Sequence, residues 1–389
     1  MTITRRSFLS KFGVGALAGI TGGVAFDKLM TQEAFAAVSG GSPDSAHLRR
    51  AKQARDRATA MAFRRPLARQ RNNNEERRYK SLIATYTKGL PHNNLGEVET
   101  GAYRRFIRAL NTENPRQLEN ITIGDKKLKN PLAGAAYDFI GMDPRQFRIP
   151  AAPRIDSNEN SAEMAEAYWM ALCRDVNFSD YAASSDVNQA ATNLSSFPQY
   201  KGPKFGASVT PAVIFRGTTP GDLTGPYISQ FLYLDVPLGV KSLNGQFSAQ
   251  GVSQKILTLQ PGKEYLTEYN FWRHRNNGGL DGNVPQYDNT RRYIRNGRAL
   301  ANLVHIDIPF QFAMNAAYIL LNFGMPYDEG NPYRRSQTMG GFATFGYPHV
   351  MCMVGEAAMR AFWSVWYQKW WVHRRLRPET FGGRIHNHM

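Results

Sequence analysis

The residues of this chain best suited to hold a small anion lie close to its C-terminus. Four basic residues stand there among three tryptophans, namely Lys369, Arg374, Arg375 and Arg377 with Trp366, Trp370 and Trp371. A lysine offers a point charge, and an arginine offers a planar fork of donors that matches phosphate-like oxygens. The sequence therefore predicts an oxyanion site. The alternative is a solvated basic helix end that complements the helix dipole.

A helix and the turn after it must position these residues. Apolar residues recur at helical spacing from about His349 to Val372, and they are Val350, Val354, Ala357, Ala358, Ala361, Phe362 and Val365. Position 369 continues that stripe, so Lys369 should end the core-facing side, where an ammonium is costly unless an anion meets it. Arg377 precedes Pro378, which disfavours helix, so Arg377 should lie in a turn.

The string that begins at Lys369, K-x7-R-P-E-x-F-G-G, resembles the first vanadate-binding motif of the vanadium-dependent haloperoxidases, in their bromoperoxidase branch. Four further stretches look like the same family, and they lie at residues 87–98, 162–181, 215–231 and 345–350. The resemblance covers roughly residues 80 to 389.

This resemblance implies the fold and the site. The fold class is all-α, a helical bundle with long ordered loops, and helix also dominates the periodic segments of the sequence. Vanadate would be the cofactor, bound by Lys369 and Arg377. Lys369 would polarise bound peroxide, and Arg377 would neutralise charge on the oxygens. Trp366 matches a position beside the cofactor and is a halide-site candidate, with an aromatic core residue as the alternative.

The family pocket also uses a later S-G-H segment, a second arginine and a histidine, and the chain contains no S-G-H tripeptide. The resemblance therefore predicts that the C-terminal bundle helices are missing. A truncated product, one half of a split enzyme and an incomplete sequence are the interpretations left open.

The implied reaction is oxidation of a halide, most readily bromide, by hydrogen peroxide, with an organic acceptor for the product. An acid phosphatase-like phosphoester hydrolase on the same pocket and an inactive or split-enzyme fragment are the alternatives. A homo-oligomer or a complementary C-terminal chain is the expected protein partner.

Two weaker metal hypotheses concern other residues. Asp328 and Asn331, in a D-E-G-N-P loop, could ligate a structural calcium through oxygen, although such turns are usually only turns. His386 and His388, with His373, could hold a metal but lack carboxylate partners nearby.

Residues 1–36 are typical of a twin-arginine export signal. Thr4-Arg5-Arg6-Ser7-Phe8-Leu9 matches the motif, a short Gly/Ala-rich stretch follows, and Ala34-Phe35-Ala36 offers a cleavage site. The twin-arginine translocase would be a partner. The destination would be periplasmic or secreted, and the exported chain would not be a membrane protein, since the apolar stretch is too short to span a bilayer.

The formal charge of the whole chain is +17. Its leader holds four basic and two acidic residues, so residues 37–389 carry +15. Much of this charge lies in residues 48–108. Residues 37–80 form a basic N-terminal arm with a helix at about 45–63, and residues 81–389 form the haloperoxidase-like domain. Nucleic acid is not expected as a partner, because the chain has no nucleic-acid motif and carries an export signal. A positive field would attract vanadate, phosphate and halide.

Further helices are predicted at 161–176, 290–301 and 303–323. In the first, one apolar face should be formed by Met164, Ala167, Tyr168, Ala171 and Leu172. A brief hairpin is expected around Asn244-Gly245.

Overall fold

The computed structural model describes residues 44–136, 143–238, 250–280, 284–305 and 309–388. The export signal and the turn expected at Asn244-Gly245 lie outside the described residues. The chain divides into a small unit that contains helix α1 (Asp44–Arg64) and a large unit that runs onward from Ala68. The domain boundary at residue 80 stays a prediction.

The large unit is built from helices joined by long ordered loops. Its α-helices are α2 (Glu75–Arg78), α3 (Thr100–Thr112), α4 (Pro115–Glu119), α5 (Asn158–Leu172), α6 (Ser185–Ser195), α7 (Tyr269–Asn276), α8 (Gly297–His305), α9 (Gln311–Asn322), α10 (Tyr347–Tyr367) and α11 (Pro378–His388). Short 3₁₀ helices lie at Pro131–Ala135, Pro144–Gln146, Cys173–Asp175, Phe178–Asp180 and Gln230–Tyr233. The prediction of an all-α fold is confirmed.

The described residues contain one small sheet of two short strands. Strand β1 (Val236–Leu238) pairs antiparallel with β2 (Gln250–Val252), with Val236 opposite Val252. They flank the segment in which a hairpin was expected. Among the described helices, none combines the length and the apolar character that a membrane span requires.

Two predicted helices begin later than the sequence pattern indicates. Helix α8 begins at Gly297 instead of about 290, because the preceding segment is extended: Arg292 exchanges two backbone hydrogen bonds with Ile256, at 2.9 and 3.0 Å. The helix expected at 303–323 is α9, which begins at Gln311, since residues up to His305 belong to α8.

The apolar face predicted for α5 is mostly wrong. Tyr168 and Leu172 are 50% and 63% exposed, whereas Ala162 and Cys173 are buried in a core shared with α6. The helix carries apolar residues on two sides, and α6 packs against the side that contains Ala162, Ala165 and Trp169. Periodicity alone does not distinguish the two faces.

The C-terminal helix predicted at His349–Val372 is present but changes type near its end. Helix α10 runs to Tyr367, and a π-helical turn follows at Gln368–His373. The predicted core-facing stripe is wrong at three positions, since Ala357, Ala361 and Val365 are exposed, and no residue of α10 is fully buried.

The face that α10 uses is set by a close backbone contact. A Cβ at Gly134, in the 3₁₀ helix Pro131–Ala135, would lie only 2.7 Å from the Cα of Tyr367. Helix α10 therefore packs here through its backbone at Tyr367. The π turn then inserts an extra residue into the helical period, so the stripe cannot be continued to position 369.

A buried aromatic cluster supports the π turn. Trp370 is 1% exposed and packs edge-to-face on Tyr86 and Phe106, with ring centroids 5.2 and 5.7 Å away. Burial of a side chain of this size stabilises the fold by roughly 2–3 kcal/mol. The end of the long helix is thereby attached to α3, which contributes Phe106.

A forked ion pair closes the π turn. Arg374, in the left-handed conformation, donates Nε and Nη2 to the two carboxylate oxygens of Glu76, the second at 2.7 Å. Its Nη1 donates to the carbonyls of Trp370 and Trp371, and Tyr103 donates its hydroxyl to Glu76. Burial opposes the charge of Glu76, but Arg374 outweighs it and lowers the pKa of that carboxyl.

We expect Glu76→Gln to lower the free energy of unfolding by about 3 kcal/mol, because it leaves a largely buried guanidinium without its counter-charge. Urea unfolding measures this. Glu163→Gln is the matched control, since Glu163 pairs with the neighbouring Arg375 at a half-exposed position, where an ion pair stabilises by about 1 kcal/mol or less.

The loss should also depend on pH. Because the pKa of Glu76 is lowered on folding, its contribution is present above the ordinary glutamate pKa and disappears as the pH falls through the lowered one. Wild type and Glu76→Gln should therefore converge in acid. Equal stabilities at neutral pH would contradict the role given to this ion pair.

Candidate functional site

The structure separates the four basic residues near the C-terminus into two groups. Arg374 is bound to Glu76, and Arg375 pairs with Glu163, so the charge of each is met by a carboxylate outside the site. Lys369 and Arg377 are the remaining two. They lie close enough for the charge of Arg377 to lower the pKa of Lys369.

The ammonium of Lys369 lies among aromatic rings. Its Nζ is 4.9 Å from the ring centroid of Trp370, 5.3 Å from that of Tyr86 and 5.4 Å from that of Trp366. Among the described residues no carboxylate forms an ion pair with it. Burial lowers the pKa of Lys369, the charge of Arg377 lowers it further, and Glu379 raises it.

Aromatic ring faces stabilise an ammonium but offer it no oxygen or nitrogen lone pair as a hydrogen-bond acceptor. The N–H groups of Lys369 are therefore available to an oxyanion. The π turn that carries this lysine is a geometry that occurs frequently at functional sites.

Arg377 lies in the turn before α11, as the following proline predicts. Pro378 occupies the first position of that helix, where its fixed φ is favourable and its missing N–H costs nothing. The carbonyl of Arg377 accepts from the N–H groups of Thr380 and Phe381, at 3.0 and 2.9 Å. Arg377 thus directly precedes the N-terminus of α11.

A carboxylate joins this cation to a second lysine. Oε1 of Glu379 lies 2.6 Å from Nε of Arg377 and 3.0 Å from Nζ of Lys88. Burial opposes the charge of Glu379, but Lys88 and Arg377 outweigh it and hold the pKa of that carboxyl below its usual value. The local group thus contains three cations and one carboxylate.

The segment that carries Tyr86 and Lys88 is fixed by pairing with the motif itself. The N–H of Tyr86 donates to the carbonyl of Arg374 at 2.7 Å, and that of Leu376 donates to the carbonyl of Ala84 at 3.1 Å. Tyr86 follows this pairing directly, and Lys88 lies in the turn after it, which the N–H of Leu90 closes on the carbonyl of Thr87 at 3.1 Å.

Thr87, which begins that turn, lies in a buried hydrogen-bond chain. Arg384 of α11 donates Nη2 to the hydroxyl of Thr87 at 3.3 Å, and that hydroxyl lies 2.8 Å from Nε2 of His92. Nδ1 of His92 bonds to Oδ1 of Asn277 at 2.9 Å. Burial lowers the pKa of His92 to about 4, so this imidazole is neutral, with Nδ1 as donor and Nε2 as acceptor.

Trp366 lies beside the lysine, as its spacing predicts. It is half-buried, its indole N–H donates to the carbonyl of Lys129 at 2.9 Å, and its ring packs edge-to-face on Phe362. One face therefore meets the ammonium of Lys369 while the N–H is already used. Its role at a halide site stays a prediction.

The two loop residues suggested for calcium are engaged in turn hydrogen bonds. Asp328 accepts from the N–H of Gly330, and Asn331 accepts from that of Tyr333 and donates to the carbonyl of Phe345. Within the described segments, no group of three or more His, Cys, Asp or Glu side chains could hold a metal ion. Calcium binding stays a prediction.

Sequence reasoning missed three residues of the site, and two of them carried a signal. Glu379 belongs to the R-P-E motif, and Lys88 belongs to the family-like stretch 87–98. Nothing in the sequence marked Tyr86, because its place depends on backbone pairing between segments almost 290 residues apart.

An open cavity of about 670 Å³ lies next to this group. Lys88 and Glu379 are part of its wall, together with Tyr168, Tyr269 and Trp272. Its surface is mainly apolar and aromatic.

Known proteins with the same fold and related sequence are bromoperoxidases. The vanadium-dependent bromoperoxidase of Corallina pilulifera is 29% identical over 373 residues, which cover 81% of this chain and 62% of that protein. The vanadium-dependent bromoperoxidase of Ascophyllum nodosum is 33% identical over 319 residues, which cover 78% of this chain and 56% of that protein. No family model matches the chain.

A solved structure agrees with these relatives. The homohexameric structure of the second vanadate-dependent bromoperoxidase from Ascophyllum nodosum superposes with a TM-score of 0.79 at 29% identity, over 89% of this chain and 57% of that one. The chain thus spans about three fifths of the length of the relatives it matches. By its sequence, its helical fold and its K-x7-R-P-E motif, the chain belongs to the vanadium-dependent haloperoxidase family.

Proposed function

We propose that the protein binds vanadate through Lys369 and Arg377 and then catalyses the oxidation of a halide, bromide above others, by hydrogen peroxide. The observation that carries the proposal is the arrangement of the motif cations. Arg374 pairs with Glu76, and Arg375 pairs with Glu163. Lys369 and Arg377, in contrast, lie close enough for the charge of Arg377 to lower the pKa of Lys369. The relatives are vanadium-dependent bromoperoxidases.

The residues present fit an oxyanion by the chemistry of their donors. The carboxylate of Glu379 already lies between two of the cations, which indicates that this region stabilises negatively charged oxygen. Lys369 adds a third cation without an ion-pair partner among the described residues. Vanadate, phosphate and sulfate share the tetrahedral oxygen geometry that such donors recognise.

Each residue has a distinct task in this site. Bound vanadate would supply a Lewis acid that activates peroxide toward a halide. Lys369 would donate a hydrogen bond to a bound oxyanion, and its lowered pKa reflects an ammonium that burial partly separates from water. Arg377 neutralises negative charge on the remaining oxygens. Tyr86 and Trp370 hold the lysine in place and exclude water from its stem.

The halide and the organic acceptor have candidate positions. Trp366 lies over Lys369 and would bound the space that a halide enters. The aromatic cavity beside Lys88 and Glu379 has room and walls for an aromatic acceptor of the hypohalous acid.

Export, assembly and calcium binding are further parts of the proposal. The twin-arginine motif supports export through that translocase to the periplasm or beyond the cell. Exposed apolar side chains on α10 and in the loop before it, such as Met353, Val365 and Phe342, support burial of this face in a homo-oligomer or by a complementary chain. A structural calcium near Asp328 and Asn331 rests on the family resemblance.

Loss of either motif cation should weaken oxyanion binding. We expect Lys369→Met and Arg377→Met each to lower orthovanadate affinity about tenfold or more, because each removes a charged hydrogen bond that contributes roughly 1.5–3 kcal/mol. Vanadium NMR titration of the purified protein measures this. Arg375→Met is the matched control, since Arg375 is bound to Glu163 and should leave the affinity unchanged. An equal effect of all three substitutions would indicate unspecific charge attraction.

Turnover tests the reaction itself. We expect bromination of a phenolic dye that requires bromide, peroxide and vanadate together, and a loss of about a hundredfold in rate for Lys369→Met, as is typical when one preorganised donor is removed. Vanadate binding without bromination would favour an inactive or split-enzyme chain. Hydrolysis of phenyl phosphate without bromination would favour the phosphatase.

Assembly is measured by light scattering on a sizing column. We expect a particle mass that is a multiple of the 43.8 kDa of one chain, because burial of exposed apolar surface drives association. Substitution of Val365 and Met353 by Asp should lower that mass. A single-chain mass at every concentration would contradict self-assembly.

A further inference from the structure

The carboxylate of Glu379 lies against one of the two cations that an oxyanion would use. One oxygen, Oε1, contacts both Nε of Arg377 and Nζ of Lys88. A guanidinium binds an oxyanion bidentately either through its two terminal nitrogens or through Nε and the adjacent terminal nitrogen. Glu379 lies beside the Nε edge of Arg377 as an ion-pair partner, at 2.6 Å, and accepts a hydrogen bond from Lys88.

The same carboxylate is close enough to act on Lys369. Glu379 raises the pKa of that lysine, while Arg377 lowers it, so the charges of these three residues act on one another. An anion held by Lys369 and Arg377 would lie beside Glu379, and like charges at that separation repel. Because all three side chains are partly exposed, the carboxylate has room to move.

Lys88 offers the carboxylate a second position. It comes from a distant part of the chain, is held by the pairing of its segment with residues 374–376, and binds Glu379 at 3.0 Å. Glu379 can therefore release Arg377 and keep a counter-charge. Trp272, which donates its indole N–H to the carbonyl of Glu379 at 2.7 Å, keeps the backbone of this residue fixed, so only its side chain need move.

We propose that Glu379 is an internal counter-anion that competes with the bound oxyanion for Arg377, and that Lys88 receives its carboxylate when the oxyanion binds. This inference rests on the proposed oxyanion site. Glu379 then sets the affinity of the site for an oxyanion, and Lys88 positions Glu379.

The test compares anion affinity in Glu379→Gln and wild type. Glutamine keeps the size of the side chain and an acceptor oxygen for both cations but removes the charge. We expect orthovanadate and sulfate each to bind about tenfold more tightly to the variant, measured by calorimetric titration. Sulfate reports on charge alone, because it does not take part in peroxide chemistry.

Glu163→Gln is the matched control, since Glu163 pairs with Arg375, two residues before Arg377, and should leave both affinities unchanged. Equal or weaker binding to Glu379→Gln, with normal binding to wild type, would overturn this inference and leave the oxyanion site intact. Absence of binding to both proteins would overturn the inference and the proposed function together.

A second variant tests the part played by Lys88. In Lys88→Met the carboxylate has only Arg377 to bind, so both anions should bind several-fold more weakly than to wild type. Adding Glu379→Gln to this variant should abolish the loss. A loss that persists in the double variant would mean that Lys88 contacts the anion itself, which would overturn its role as the acceptor of Glu379.

Discussion

The site depends on one long-range junction between the two ends of the large unit. Residues 84–86 pair through their backbone with residues 374–376, and Glu76 holds Arg374 with both carboxylate oxygens. The pairing brings Tyr86 and Lys88 to the end of the long C-terminal helix. Without it, Lys369 would lose one of its aromatic neighbours and Glu379 one of its cations.

Charge is distributed at this junction by assigning each basic residue a different partner. Arg374, which is largely buried, binds both carboxylate oxygens of Glu76. Arg375, which is half-exposed, forms an ion pair with Glu163. The lysine has aromatic rings in place of a carboxylate, and Arg377 shares its carboxylate with Lys88. The positive charge that remains uncompensated therefore lies in the group of Lys369, Arg377 and Lys88, which has one carboxylate for three cations.

The motif and its immediate surroundings could be predicted from the sequence because they depend on local rules. The proline after Arg377 fixes the end of one element, and helical spacing puts Trp366 one turn before Lys369. The helix itself and the all-α class follow from periodicity. The K-x7-R-P-E string indicated the family, and the relatives agree with it.

The remaining features depend on contacts that no local pattern encodes. The apolar stripe predicted for the long helix is exposed at Ala357, Ala361 and Val365, because periodicity does not show which face the neighbouring elements cover. Helix α5 has two apolar sides, and its neighbour α6 selects between them. Tyr86 and Lys88 reach the site only through pairing across most of the chain. Glu379 was present in the motif, but its contact with both cations follows from the fold.

The most direct test of the oxyanion site is a crystal structure of the protein grown with orthovanadate. We predict a tetrahedral anion within hydrogen-bond distance of Nζ of Lys369 and of the guanidinium of Arg377. An anion bound by other residues, or Lys369 and Arg377 without an anion at a vanadate concentration that saturates binding in solution, would contradict the site.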